Sequence, residues 1–294
     1  DINKLLLLEN INIIKDLDTN YSYLKNNLNL ENNIDWLSML GKHVIRNNLN
    51  EIKLKINLLK EKFNKEYEET LFQRYELTEE ILTCEFNENK YEKPIYDHVT
   101  SSTGRSKISK GVNFLVMKKE DRNKLTSSFR KGAIFEIDIV SLEPRFFLKY
   151  FKNIEVNDVY THVATSILNN SNSRNKIKLG LLATIYGAGQ STVKKLTGMS
   201  SNDYDKIINY FEVQKIKRSL MNEFELKQKI KNAYGRNLYS NTSILNHFIQ
   251  SSAADCAFRA FHKFYFDNES KFNLIAVIHD AIIIDVPFEN ISMI

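Results

Sequence analysis

The chain has 294 residues, 43% of them hydrophobic and 26% charged, with a formal net charge of +5. That length exceeds the usual single core, so two or three subdomains are expected, and the mild positive charge suits a polyanionic partner without requiring one. The two cysteines, Cys84 and Cys256, lie far apart and exclude a disulfide framework or a thiolate metal site, and no apolar run approaches membrane-spanning length, so nothing supports a signal peptide or an anchor.

Residues 1 to about 90 follow helical periodicity. Ile34, Leu37, Leu40, Val44 and Ile45 make one apolar stripe, and Leu54, Ile56, Leu58, Leu59 and Phe63 lead into a charged helix through Thr70. This part predicts a helical arm with no catalytic carboxylate cluster. A Ser/Thr/Gly/Lys-rich stretch from His98 to Lys110 predicts a loop that touches phosphates or sits in water. GAIFEIDIV, Gly132 to Val140, is apolar and β-branched and predicts a strand with Asp138 near its end. SLEPRFFLKYF then turns helical. Several helices are expected over residues 158 to 233, among them RNKIKLGLLATIYG and the lysine-rich stretch from Tyr204 to Ala233. Asn241 to Tyr265 predicts one more helix. NLIAVIHDAIIIDVP places two apolar runs around His279-Asp280, the pattern of a β-hairpin. Strands separated by long helical stretches give an α+β class with a small antiparallel sheet.

Three features carry chemistry. Arg174, Lys178, Leu182 and Tyr186 stand four residues apart and run into Gly187. A four-residue step drifts only about 40° around a helix, so two cations, an apolar side chain and a ring form one slowly spiralling stripe. It could lie along a nucleotide from phosphate to base, or be an ordinary solvated face. Asp138 and Asp280 both sit in strongly apolar, strand-like segments. A buried unpaired carboxylate costs several kcal/mol, so each needs a hydrogen-bonding partner or a cation. Alone, either could be a capping or salt-bridged acid. Together on neighbouring strands they would repel unless divalent cations lay between them, and Mg²⁺ suits such hard oxygen ligands, with phosphates completing its shell.

The order of these pieces resembles the polymerase region of family A (DNA polymerase I-like) DNA polymerases over roughly residues 100 to 287. DIVSLEPR carries Asp138, Glu143 and Arg145; the helix carries Arg174, Lys178, Tyr186 and Gly187; the hairpin carries His279-Asp280. TGR at Thr103 to Arg105, GRNLY at Gly235 to Tyr239, and NHFIQSSAAD with Asn246 and Gln250 are further matches in the same order. The resemblance implies a right-hand polymerase: a helical, thumb-like region over 1–97, a palm over 98–157 and 235–294, and helical fingers over 158–234. It implies that Asp138, Asp280 and the backbone carbonyl near Ile139 hold two Mg²⁺ ions, for which Mn²⁺ can substitute. Arg174 and Lys178 would grip the triphosphate of a dNTP, with Lys178 protonating the leaving pyrophosphate. Tyr186 and Gly187 would border the nascent base pair, and Leu182 the sugar. Glu143 would exclude a ribose 2′-hydroxyl, while Arg105, Arg145, Asn246, Gln250 and His279 would contact the DNA primer-template.

The chain departs from the family pattern in several places. Ala281 follows His-Asp where the family has Glu, so a third carboxylate is absent. Leu182 replaces the commoner Phe or Tyr, as in some phage polymerases, and Thr242 stands where an Arg often contacts template. In DVYTHVA the family's phosphate-binding His corresponds to Tyr160 by register, or to His162 two residues on. The region before residue 100 is too short for a proofreading exonuclease with a full thumb, and the family continues beyond the last motif, so a naturally compact protein or an incomplete piece is expected. A processivity factor or a separate exonuclease subunit are candidate partners, a membrane is not, and the expected setting is phage or viral replication in a bacterial cytoplasm. Two other readings stay open: an RNA polymerase or primase-like enzyme on the same fold, and a catalytically degenerate protein that only binds primer-template.

Overall fold

The structure, a computed structural model, describes residues 65–82, 85–86, 89–90, 93–169 and 174–293. All of these belong to one compact unit, which begins at Asn64. The apolar stripes expected over residues 34–63 lie outside the described residues.

The described unit opens with helix α1 (Lys65–Glu79), a two-residue hairpin pair β1 (Glu85–Phe86) and β2 (Asn89–Lys90), and an antiparallel pair β3 (Ile95–Asp97) and β4 (Lys107–Lys110). A short helix α2 (Lys119–Arg122) precedes strand β5 (Gly132–Asp138). Helices α3 (Leu142–Lys152) and α4 (Val159–His162) follow, the latter running into a π-helical turn over Val163–Ile167. Then come α5 (Arg174–Ile185), α6 (Gln190–Thr197), α7 (Ser201–Tyr210) and α8 (Val213–Lys227). A small pair β6 (Ile230–Lys231) and β7 (Asn237–Leu238) leads to the long helix α9 (Ile244–Asp267). Strands β8 (Asn273–Ile278) and β9 (Ala281–Pro287) and a 3₁₀ turn (Phe288–Met293) close the chain.

The central sheet is antiparallel with β9 in the middle, in the order β5–β9–β8. Successive side chains on a strand point to opposite faces. Accordingly Ile282, Ile284 and Val286 of β9 pack with Ala257, Phe258 and Phe261 of α9 and with Leu77 of α1. Ala281 and Ile283 pack on the other face with Phe114 and Leu125. Both faces are covered, which is why β9 is apolar at every position but Asp285 rather than alternating. A register shift between Leu274 and Ala276 puts Ile275 and Ala276 on one face in succession. The single acid in the middle of this strand run, Asp285, is buried and fully engaged: it accepts from Ser127 Oγ (2.6 Å), Ser128 N (2.7 Å) and Ser128 Oγ (2.7 Å). A separate helical core gathers Phe147, Val159, Leu181, Ile185, Ile207, Phe211 and Ile249 from α3 to α9.

Several details differ from the sequence expectation, among them strand β4 inside the stretch His98 to Lys110 expected as a loop and strand β6 inside the helical stretch expected to run to Ala233. The strand expected through Val140 ends at Asp138, although the Ile139 N–H still donates to the Asp280 carbonyl at 2.8 Å. The lysine-rich stretch from Tyr204 is two helices, because Glu212 adopts φ 49° between Phe211 and Val213, both buried completely, and this left-handed residue redirects the chain. The later part of the expected arm does not stand apart: α1 lies along α9, tied by His262 to Glu76 (2.7 Å), Arg259 to Thr70 (3.1 Å) and Tyr265 to Glu80 (3.2 Å).

Candidate active site

The ends of β5 and of the β8–β9 hairpin meet. Asp138 pairs with Ala281 as the last step of the β5–β9 ladder, and Ile278 pairs with Ala281 across a connection of two residues, His279 and Asp280. Two carboxylates a sequence apart thus reach the same sheet end. His279 takes φ 48°, a left-handed conformation that costs a non-glycine residue roughly 1 kcal/mol or more. The flanking ladder holds it there and turns His279 and Asp280 outward.

Opposite this sheet end runs α5. Ile177, Gly180, Leu181, Thr184 and Ile185 make its buried face. Gly180 lets it pack closely, since a Cβ there would stand 2.4 Å from Met199 Cε. The register of that face leaves Arg174, Lys178, Leu182 and Tyr186 turned toward the acids, and all four line one cleft of about 490 Å³ with Asp138, Asp280 and His279. Gly187 ends the helix: at φ +90° its N–H reaches Thr184 O (3.0 Å) and the next N–H, on Ala188, reaches Ala183 O (2.9 Å), a Schellman closure that needs a left-handed residue. Tyr186 is therefore the last ring before a fixed turn.

The remaining walls come from Glu143 at the start of α3, Tyr160 in α4, Gln250 in α9 and Arg105. Arg105 Nη2 donates to Glu143 Oε1 at 2.6 Å. Its loop is anchored from beneath: Arg74 Nη1 donates to Gly104 O (2.7 Å), and the Ser106 hydroxyl bonds His98 Nδ1 (2.6 Å). Gly104, at φ +67°, has the Arg236 guanidinium only 2.9 Å from where a Cβ would be. The segment carrying Arg105 is thus a tight, supported turn and not a free loop.

Eleven of the fifteen residues singled out from sequence line this cleft, namely Arg105, Asp138, Glu143, Tyr160, Arg174, Lys178, Leu182, Tyr186, Gln250, His279 and Asp280. Four do not. Ile139 lies just behind Asp138; Arg145 donates to Val140 O at 3.4 Å; Gly187 caps α5; and Asn246 sits one turn before Gln250 with its side-chain oxygen buried and no donor among the described residues. Between the two phosphate-binding alternatives, the geometry separates them: Tyr160 faces the cleft beneath the Arg174 guanidinium, 5.1 Å from its ring centre, whereas His162 bonds the Tyr210 hydroxyl at 3.0 Å. Sequence reading passed over Ser141, a cleft residue at φ 54°, for which no sequence signal existed. Asp158 is the N-cap of α4, a position for which its residue type is the only local signal, since no Glu or Gln follows three residues on.

Electrostatics follow the geometry. Asp138 reaches solvent, yet the cleft walls strip part of its water and Asp280 adds a like charge, so its carboxyl is raised above the usual range, with Lys178 opposing. Burial likewise raises Glu143, and the Arg105 cation offsets part of that rise. His279 is held below its ordinary value by burial and by Arg105, against the pull of Asp280. Burial and the nearby Glu143 push the Tyr160 phenol up to about 12, so it stays protonated. The site therefore offers an acid pair on one wall and cations on the facing one.

No family model matches the sequence, and no curated protein does. Among solved structures, the POL domain of Pol1 from M. smegmatis, in complex with DNA primer-template and dNTP, matches with a TM-score of 0.56 and 14% identity, over 77% of this chain and 46% of that chain. The fold is a polymerase fold. This chain spans a little under half the length of that polymerase chain, and the shared architecture is α+β with a small antiparallel sheet. No helix among the described residues is long and apolar enough to cross a membrane.

Proposed function

We propose that this protein is a family A-type, template-directed DNA polymerase that extends a primer 3′-hydroxyl with dNTPs. The observation that carries the proposal is the facing arrangement of Asp138 and Asp280, at adjoining strand ends, with Arg174, Lys178, Leu182 and Tyr186 across one cleft. The donor set suits Mg²⁺. Two carboxylates meet at one sheet end, one of them already raised by partial burial and by the other's charge, and hard oxygen donors of this kind suit Mg²⁺ with phosphate oxygens completing its shell. Asp138, Asp280 and the Ile139 carbonyl would hold two such ions, Mn²⁺ substituting; when bound, these supply charge neutralisation for the triphosphate and activation of the 3′-hydroxyl.

In the reaction, the primer 3′-hydroxyl gives up its proton to solvent as its oxygen bonds the α-phosphorus, and the bond from that phosphorus to the bridging oxygen breaks, releasing pyrophosphate. Arg174 and Lys178 hold the phosphates, the first through its planar fork and the second as the group able to give a proton to the leaving oxygen. Tyr186, fixed by the Gly187 turn, offers a flat face to the nascent base pair, and Leu182 packs the sugar between them. Glu143, braced by Arg105, fills the space that a ribose 2′-hydroxyl would need. Gln250, Asn246, Arg145 and His279 contact the primer-template, largely without reading sequence. In this reading residues 98–157 and 235–294 act as palm and 158–234 as fingers. A phage or viral setting, with an accessory processivity factor or exonuclease subunit, rests on Leu182 and the Asn-, Lys- and Ile-rich composition.

Primer extension with Mg²⁺ tests the proposal. The full chain should add dNTPs in preference to rNTPs, and Asp280→Ala should stop extension while primer-template binding persists. Equal use of rNTPs would favour an RNA-synthesising enzyme on this fold. A parent chain that binds primer-template and never extends it would favour a binding protein, the outcome to which Ala281 points.

A further inference from the structure

Arg174 does not reach the cleft unsupported. Behind it, outside the cleft lining, stands Asp158, the N-cap of α4. The two carboxylate oxygens divide their partners. Oδ1 accepts the Tyr160 backbone N–H (3.1 Å), which is the work of a helix cap, and the Ser141 hydroxyl (3.1 Å). Oδ2 accepts the Thr161 hydroxyl (2.8 Å) and Arg174 Nε (3.0 Å), and the second of these contributes nothing to capping. Among the described residues Asp158 is the sole hydrogen-bond partner of Arg174. Because the carboxylate takes Nε, the two terminal amino groups are left on the outer edge of the guanidinium. The Arg174 Cζ also lies over the Tyr160 ring, 5.1 Å from its centre. A guanidinium fixed on one edge and one face has its remaining edge aimed, and that edge is the one that makes paired hydrogen bonds to phosphate.

We propose that Asp158 is a positioning residue for phosphate binding: it orients Arg174 through Nε so that the terminal amino groups meet the triphosphate of the incoming nucleotide. This rests on Arg174 being a phosphate ligand, as proposed above. The alternative role for a carboxylate beside a phosphate-binding arginine is that of a competitor, displaced when the ligand arrives. Its placement argues against that role. A competitor would sit on the cleft side and on the terminal amino groups, whereas Asp158 is behind the arginine and on Nε. The carboxylate also stays ionised throughout the working range: although burial opposes it, hydrogen bonds from Arg174, Thr161, the Tyr160 N–H and Ser141 bring its value down to about 2.

Asp158→Asn isolates the charge, since Asn caps a helix as well as Asp and keeps an oxygen for Tyr160 N and Ser141; Asp158→Ser is a second capping variant should the first fail to fold. Inorganic pyrophosphate binding to the full chain, measured by calorimetry without DNA, and dNTP kinetics are the readouts. The pair is half-exposed and screened, so a weakening of pyrophosphate binding and a rise in dNTP KM of roughly five- to tenfold is expected, with primer-template Kd unchanged. On an Arg174→Ala background Asp158→Asn should have no further effect, since there would be nothing left to orient. Unchanged or tighter pyrophosphate binding by Asp158→Asn, or losses that simply add in the double variant, would overturn the assignment. A parent chain that binds no pyrophosphate would instead overturn the phosphate-site reading on which it stands.

Discussion

Two regions of this molecule hold carboxylates carried by largely apolar elements, and they treat them in opposite ways. Asp255, in the middle of α9, is completely buried and is met by cations from distant parts of the chain. Arg236 donates to it at 3.0 and 3.3 Å, Asn232 at 2.6 Å, and the Arg74 guanidinium comes within 2.6 Å. Arg74 is itself buried, with its cation 4.5 Å from the centre of the Phe258 ring. Its Nη2 contact with Asp255 is close but poorly angled, an ion pair more than an aligned hydrogen bond. Asp138 and Asp280 have the reverse arrangement: like charges at one sheet end, with Lys178 the largest opposing influence on Asp138. In the first region folding itself supplies the counter-charges. In the second the two acids face solvent and, among the described residues, carry no such partner, the arrangement that leaves room for a cation in the reading proposed above.

The comparison is broken most severely by neutralising one acid in each region. Asp138→Asn should lower extension by roughly 10³-fold or more, the scale seen when a key electrostatic partner of phosphoryl or acyl transfer is lost, measured as single-turnover incorporation. Yet without divalent ions the variant should melt no earlier than the parent, because it relieves desolvation and repulsion in the cleft. Addition of Mg²⁺ should raise the melting temperature of the parent and leave Asp138→Asn nearly unmoved. Asp255→Asn should do the opposite. It leaves two buried arginines short of their anion and should cost about 3–5 kcal/mol in denaturant unfolding. Early melting of Asp138→Asn without metal, or a mild Asp255→Asn, would erase the distinction.

The same contrast explains what could be read from the sequence. Asp138, Asp280 and the α5 stripe were legible because each is locally encoded: an acid at the end of an apolar strand run, or four residues at a helical spacing. The β8–β9 hairpin followed from two apolar runs around a polar pair, and the α+β class from strands set far apart. The partners of Asp255 were not legible. Arg74 lies in a charged helix with nothing in its neighbours to mark it as buried, and only the docking of α1 along α9 brings it there. Asp158 was missed for a related reason: its residue type is a local signal for a cap, but its hold on Arg174 depends on how α4 packs beside α5. Glu143 was legible as a motif residue, and its brace by Arg105 was not, because the supported turn at Gly104 is a tertiary feature.

The smallest expected effect concerns acid. His98 belongs to the buried region: it is fully enclosed between Tyr75, Tyr96 and Phe258, bonds Thr78 and Ser106 through its two ring nitrogens, and feels Arg74 and Arg236 as well as Asp97. Burial first, then the two arginine charges, hold it well below its ordinary 6.5, with Asp97 opposing. A histidine so depressed is neutral when folded, so as pH falls below 6.5 the unfolded chain takes up a proton that the folded chain refuses. Stability is then lost at up to about 1.4 kcal/mol per pH unit. Asp138 works in the other direction. Its carboxyl is raised, so as pH falls through its folded value the folded chain binds the proton first, and metal-free stability is gained until the ordinary carboxylate value is passed. Denaturant unfolding across mildly acidic pH should therefore show a flatter loss in His98→Asn and a steeper one in Asp138→Asn. If both variants kept the slope of the parent, neither region would be charged as described, and the opposition between a satisfied core and an expectant cleft would fail together with it.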